Sequence, residues 1–388
     1  MASGAIEGSR GPLSGHLVLD LSRVLAGPFC TMLLSDLGAR VVKVELPGEG
    51  DVTRGWGPPW DAATGMSGYF LAVNRNKESI ALDLRQSADV LAVRTLASRS
   101  DVLVENFPPG GLERFGLSLS ELRAANPRLV TASITGFGRA GDDASSPGFD
   151  LLAQAGAGLM AITGDPDGPP SKVGVAVSDL FAGCFAAIGI AGALAGRART
   201  GRGAHVETDL FSSTLAALVN VAQAALCSGE EARRQGNAHA QIVPYRVFEA
   251  SDGELAVAVG TDRQFARLCE LLGRPEWARG EWAGNPGRVE GRTRLEEALE
   301  EIFRREARDV WLARLRAAGI PAGPVRGPLE ALRSAAAVAI GAVVNTGGRE
   351  FVASPIRVEG WTAPVGMPPR LDEHGEALRR EFGIPPAG

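Results

Sequence analysis

Two α/β domains are what this sequence predicts: a doubly wound domain over about residues 13–225 and a smaller one over about 226–330, with residues 331–388 returning to the first. Three observations carry that expectation. From residue 16, short runs rich in Val, Ile and Leu alternate with helical segments; the runs are apolar on both faces; and the pattern changes character after Cys227. Runs apolar on both faces suit a parallel sheet covered by helices on each side.

In order, HLVLDLS (16–22) reads as a strand, PFCTMLLSDLG (28–38) as a helix and RVVKVE (40–45) as a strand. SIALDL (79–84), a helical stretch to Arg99, DVLVEN (101–106) and RLVTASITG (128–136) repeat the rhythm. Residues 148–161 look helical, and the run LFAGCFAAIGIAGALAG (180–196) leads through the turn TGRG to the strand AHVETDL. Residues 245–260 suggest a hairpin with Asp252-Gly253 at its turn, and residues 262–318 give three amphipathic helical stretches before PAGPV at 321–325. The rest holds short β-like runs, a Pro-rich stretch and a final helix in HGEALRREFG.

Composition narrows the function. With 388 residues, 45% of them hydrophobic, the chain can bury a large core. Forty Lys+Arg against 45 Asp+Glu leave a formal charge of -5, so there is no basic excess for nonspecific binding to nucleic acid or an anionic membrane. Cys30, Cys184, Cys227 and Cys269 form no CxxC pair, and the N-terminus lacks an apolar signal core. A reducing cytoplasm is the expected location. The 180–196 run is short and Gly/Ala-rich for a membrane span, so it is expected to be a core helix.

Several motif ingredients lack their context. Gly156-Ala157-Gly158 imitates a dinucleotide fingerprint, but the preceding FDLLAQA is helical in pattern rather than a strand. No GxxxxGK[ST] phosphate loop occurs, and His16, His205, His239 and His374 are too scattered to suggest a metal centre. Asp179 is different. It stands where VGVAVS meets the long uncharged run, and its plainer role is an N-cap shared with Ser178. Capping and nucleophilic catalysis are compatible there, because a helix N-terminus favours the carboxylate and apolar surroundings strip it of water. Lys43, Arg54, Arg75, Lys77, Arg85 and Arg114 fall near strand ends, where open α/β sheets bind ligands, and are candidate phosphate contacts.

Nine segments in order resemble the class III CoA-transferase (CaiB/BaiF) family, closest in character to its succinyl-CoA:dicarboxylate members. They include VLDLSRVLAGPFCTMLLSDLGARVVKVE (18–45), GDVTRGW (50–56), NRNKESIALDL (74–84), DVLVENFPPGGLERFGL (101–117) and TGRGAHVETDLFSS (200–213). The resemblance implies a Rossmann-like large domain in an interlocked homodimer, with CoA thioesters as substrates and no permanently bound cofactor or metal. It places the catalytic aspartate on Asp179 and CoA contacts on Leu25, Ala26, Leu84, Arg85, Asn106, Phe107 and Arg114. Relatives acting on formyl and oxalyl groups carry glutamine at the position of Leu25, and a multi-glycine loop where this chain has Gly236-Asn237. The expected reaction is therefore transfer of CoA from an acyl-CoA such as succinyl-CoA to a dicarboxylate, with Gly236 and Asn237 near the reacting carbonyl and Arg246 on the far carboxylate. Two alternatives stand beside it. One is a 2-methylacyl-CoA racemase of the same fold, which would need a histidine where Phe149 precedes Asp150; the other is a CoA-binding protein without catalysis.

Overall fold

The computed structural model describes residues 10–386. The chain forms two compact units: one takes residues up to Leu159, Lys172–Gly229 and the chain from Ala335, and the other Met160–Ser171 and Glu230–Ser334. The short segment 160–171, expected in the first domain, belongs to the second unit. There the Arg234 guanidinium donates to the carbonyls of Ala161, Asp165 and Gly168.

The first unit is built on six strands: β1 (Leu17–Asp20), β2 (Arg40–Glu45), β3 (Lys77–Ala81), β4 (Val102–Glu105), β5 (Val130–Thr135) and β6 (His205–Asp209). They pair in parallel in the order β3-β2-β1-β4-β5-β6. This is a doubly wound order whose switch point lies between β1 and β4. Its helices are α1 (Ala26–Asp36), α2 (Gly68–Val73), α3 (Ser87–Arg99), α4 (Leu119–Ala125), α5 (Asp150–Gly156), α7 (Val177–Thr200), α8 (Leu210–Ala217) and α9 (Val219–Ser228), while α6 (Leu159–Ile162) starts at Leu159 and lies otherwise in the second unit's segment. The strand residues divide between two cores. Val18, Val41, Val102 and Val130 face α1 and α7, while Leu19, Val42, Ile80 and Leu103 face α3 and α4. Burial of both faces explains why these strands read as continuous apolar runs.

Three elements depart from expectation. The helix predicted for 148–161 is two, α5 and α6, broken where Gly158 takes φ +84°. Strand β3 begins at Lys77 and ends at Ala81, where Asp372 accepts the Ala81 N–H. Helix α7 runs 24 residues, long and apolar enough by length and composition to cross a membrane. One of its faces (Ala182, Ala186, Ile190, Leu194) nevertheless lies in the core, while Phe185 and Ile188 are exposed.

The second unit centres on the hairpin β7 (Tyr245–Ala250) and β8 (Gly253–Ala258), whose turn residues are Ser251 and Asp252, one position before the predicted pair. After α10 (Asp262–Leu271), α11 (Asn285–Glu290), α12 (Arg292–Phe303) and α13 (Arg308–Ala317), β9 (Ala322–Pro324) joins β8 in antiparallel fashion. Phe248, Leu255, Phe265, Leu299, Phe303 and Leu315 fill the core between hairpin and helices.

Two short helices follow, α14 (Pro328–Leu332) and α15 (Ala335–Ala339), then the hairpin β10 (Val343–Thr346) and β11 (Arg349–Val352) and the last helix α16 (Gly375–Phe382). Leu378 and Phe382 of α16 close the second core of the first unit, and Glu381 pairs with Arg40.

Candidate active site

The loops that leave β1, β4 and β5 meet the start of α7 in a cleft of about 470 Å³ within the first unit. Its walls include Arg23, Ala26, Trp56, Tyr69, Asn106 and Phe107 around Asp179, with Asp150 alongside. Ligands of open α/β sheets settle at this switch-point edge because loops diverge there and leave a crevice.

Asp179 is not a cap. It is the third residue of α7, whose N-cap is Ala176 and has no side-chain cap bond. The capping oxygen comes from elsewhere: Asp150, in the first turn of α5, accepts the Ser178 N–H at 2.9 Å. Gln154 holds that carboxylate by donating to its other oxygen at 2.8 Å and accepts the Val173 N–H at 2.8 Å. The cap therefore sets a second carboxylate beside Asp179. Burial pushes the Asp179 carboxyl up to about 7 and the Asp150 charge adds to the rise, while the backbone N–H groups of Ala26 and Asp179 act against it. Among the described residues no cation pairs with Asp179. Facing it, the Tyr69 hydroxyl is pushed up to about 12 by burial and by Asp179, so it remains a donor at neutral pH.

Helix α1 reaches this carboxylate because Gly183 lets it. A Cβ on Gly183 would stand 2.6 Å from the Ala26 carbonyl oxygen and 3.2 Å from the Phe29 ring. Without a side chain there, the N-terminus of α1 lies against the first turns of α7.

The residues expected to contact CoA separate into three groups. Ala26, Asn106 and Phe107 line the Asp179 cleft. Leu84 and Arg85 line an adjoining pocket of about 240 Å³, which shares Arg23 and Phe107 with the cleft. Leu25 is the buried N-cap residue of α1, and Arg114 is exposed on a 3₁₀ turn; neither lines either pocket. Arg85 is largely exposed and pairs with Asp83 at 2.8 Å.

Four of the cations offered as phosphate contacts are structural instead. Lys43 pairs with Asp51 at 2.9 Å, Lys77 with Asp20 at 3.1 Å, Arg54 with Glu45 at 2.7 Å and Arg75 with Asp36 at 2.6 Å, all with little or no exposure. A buried charge needs a partner, and the strand-end carboxylates supply it. Among the described residues Arg23, missed from the sequence, is the one cation lining the cleft; its guanidinium lies over the Phe107 ring at 4.9 Å. Its position two residues before Leu25 could have flagged it.

Of the expected substrate residues of the second unit, Arg246 and Asn237 line cavities there but are also engaged within the unit. Arg246 donates to Glu296 at 3.0 Å and to the Val247 carbonyl at 3.0 Å, and Glu296 pairs in addition with Arg292. Its charge is thus balanced within the unit rather than free for a carboxylate. Gly236 sits at φ +59°, and the Asn237 side chain accepts the Val247 N–H at 3.2 Å.

A carboxylate raised toward neutrality at the start of a helix, in the switch-point cleft of a doubly wound sheet, marks a candidate enzyme active site. The comparisons make it specific. Residues 13–375 match the model of CoA-transferase family III, and the chain belongs to that family as a class III CoA-transferase. It is 41% identical to an acetyl-CoA:oxalate CoA-transferase of Acetobacter aceti, over 97% of each chain. It is equally 41% identical to the succinyl-CoA:glutarate CoA-transferase of Mus musculus, over 95% of this chain and 86% of that one. Among solved structures it resembles a CaiB/BaiF family protein from Brucella suis, with a TM-score of 0.87 and 42% identity over 96% of this chain and all of that one.

Proposed function

We propose that Asp179 is the covalent nucleophile of CoA transfer and that the acceptors are dicarboxylates, with succinyl-CoA as donor. One observation carries the mechanism: a carboxylate with no cation partner among the described residues, its pKa raised to about 7, lines the switch-point cleft. A carboxylate that is poorly stabilised as an anion is the stronger nucleophile once ionised.

Asp179 attacks the donor thioester carbonyl, and the C–S bond breaks to give an acyl-aspartyl anhydride and CoA thiolate. The thiolate then attacks the aspartyl carbonyl, which releases the donor acid and leaves an aspartyl-CoA thioester. The acceptor carboxylate attacks that thioester and frees the thiolate, which takes the acyl group from the second anhydride and restores Asp179. Each step exchanges one acyl bond for another, so thioester energy is conserved without ATP. Leu84, Arg85, Asn106 and Phe107 line two adjoining cavities, the second of which holds Asp179, an arrangement that suits an extended CoA chain.

The relatives support the dicarboxylate reading through the acids in their names: oxalate, glutarate, mesaconate and citramalate each carry two carboxyl groups. Leu25 in place of the glutamine of formyl- and oxalyl-transferring members favours longer diacids. Phe149, exposed beside Asp150, offers no base for racemase chemistry. Exposed Ile188, Val219 and Leu226 on α7 and α9 form apolar surface that fits a second copy of the chain, and a cytoplasmic homodimer completes the reading.

The test is to mix enzyme with succinyl-CoA, quench within one turnover and digest. A mass adduct on the peptide holding Asp179, sensitive to hydroxylamine and absent from Asp179→Ala, is the expected result. Turnover without any adduct, or an active Asp179→Ala enzyme, would remove Asp179 from the chemistry. Faster turnover of monocarboxylates than of C4 to C6 diacids would remove the acceptor class alone.

A further inference from the structure

The turn that leads from β1 into α1 is held in a conformation its own sequence resists. Val24, a β-branched residue, sits at φ +70°, where side chains other than glycine crowd the backbone. Such a residue persists only when its surroundings over-determine it.

Three neighbours do so, each from a different part of the sheet edge. Lys43 of β2 donates to the Ser22 carbonyl at 2.9 Å. Asn106, after β4, accepts the Arg23 N–H at 2.8 Å and donates to the Arg23 carbonyl at 2.7 Å. Asp51 accepts the Val24 N–H, its nearer oxygen at 3.2 Å. Lys43 and Asp51 are themselves paired at 2.9 Å with no side-chain exposure, and Glu45 fixes Asp51 by accepting its N–H at 2.9 Å.

Two residues beyond Val24 comes Ala26, whose N–H faces the Asp179 carboxylate. The direction of that N–H depends on the backbone at Val24, because φ there sets the course of Leu25 and the first turn of α1.

We propose that Asp51, backed by Lys43, is a positioning residue for CoA transfer: it holds Val24 in the left-handed conformation that keeps the start of α1 against Asp179. The inference rests on Asp179 as the nucleophile. It goes beyond that reading by giving a buried ion pair outside the reacting groups a part in the reaction.

Glycine adopts φ near +70° without strain, so a glycine at position 24 should make the anchor unnecessary. The test is a double-mutant cycle of Asp51→Asn and Val24→Gly, measured as kcat, KM for succinyl-CoA and the pH profile of kcat/KM. Asp51 Oδ2 takes both the Val24 N–H and Lys43 while Oδ1 takes the Thr53 N–H and hydroxyl, so Asn at position 51 must turn its own donor against one of these N–H groups and loses the charge that holds Lys43. Asp51→Asn is expected to lower kcat about 30-fold when Val24 is retained and less than about threefold in the Val24→Gly background, and KM for succinyl-CoA should change little. When Val24 is retained, loss of the Ala26 N–H also moves the acid limb of kcat/KM to higher pH; in the Val24→Gly background the limb stays in place. Asp150 and Tyr69, the other titratable groups facing Asp179, are the same in every variant.

Equal losses in the two backgrounds, or an acid limb that never moves, would overturn the proposal. If Asp51→Asn does not fold, Asp51→Ala in both backgrounds makes the same comparison, since Asp20 and Glu45 remain to balance Lys43. An Asp179 adduct forming in all four proteins while the cycle is additive would leave the nucleophile standing and defeat only the role of Asp51.

Discussion

Asp20 and Asp179 are both withdrawn from water in the same unit, and they ionise at opposite ends of the scale. Burial raises the pKa of Asp20, but Lys77, Lys43 and the hydroxyls of Ser22 and Thr31 more than reverse it, and the group falls to about 2. Asp179 has burial without the cations and a second carboxylate in place of the hydroxyls, and it rises to about 7. The contrast separates two uses of a buried acid. A matched carboxylate fixes backbone, as Asp20 does by accepting the Ser22 N–H at 3.0 Å and the Thr31 hydroxyl at 2.7 Å. An unmatched one holds a proton or a reactive charge close to neutrality.

The largest expected effect comes from erasing the unmatched charge. Asp179→Asn should lower kcat on the order of 10⁴-fold or more, because it removes the proposed nucleophile. The same variant should gain stability. The folded-state pKa of Asp179 lies above its ordinary value of 3.8, so its contribution to stability is favourable below about pH 4 and is lost as pH rises through about 7. Asp179→Asn should therefore raise Tm by a few degrees at pH 8 and leave it nearly unchanged at pH 4. Asp20 runs the other way: its stabilisation is complete above about pH 4 and is lost as pH falls through about 2. A calorimetric pH series on the variant and the parent checks both signs. A Tm gain of the same size at both pH values would mean that the charge of Asp179 is not the cause.

A smaller effect is expected from Asp150. Activity in kcat/KM should rise with pH through an apparent pKa near 7 as Asp179 ionises. Asp150→Asn removes the like charge yet can still accept the Ser178 N–H, so the limb should move down by about one unit or less. It should not reach the ordinary carboxylate range, because burial is the larger cause of the shift. A limb that stays in place would leave burial as the whole explanation.

The smallest effect belongs to the second unit, where charge is paired near the surface. Arg246 is about a third exposed (31%), and Glu296 keeps Arg292 as a partner at 3.2 Å when Arg246 is lost. Arg246→Ala should cost below about 1 kcal/mol in urea unfolding and leave the diacid-to-monoacid KM ratio unchanged. A KM that rises for diacids alone would give Arg246 the substrate carboxylate after all.

Local sequence was enough to reveal the sheet and to single out Asp179 as a candidate. Strands β1, β2, β4 and β5 were legible because burial on both faces writes the same apolar run that a reader sees. Asp179 stood out because it precedes 17 uncharged residues and falls where the family resemblance places the catalytic aspartate. What each charge does was settled by tertiary packing. Lys43, Lys77, Arg54 and Arg75 looked like ligand contacts because local sequence shows which residues carry charge but not which opposite charges the fold buries beside them. Their partners include Asp20, 57 positions from Lys77, and Asp36, 39 positions from Arg75. The cap of α7 was misassigned for the same reason: the oxygen that takes the Ser178 N–H comes from Asp150, 28 residues away. Strand patterns follow from local periodicity, whereas electrostatic partnerships form only when distant segments are packed into a medium that makes every unpaired charge costly.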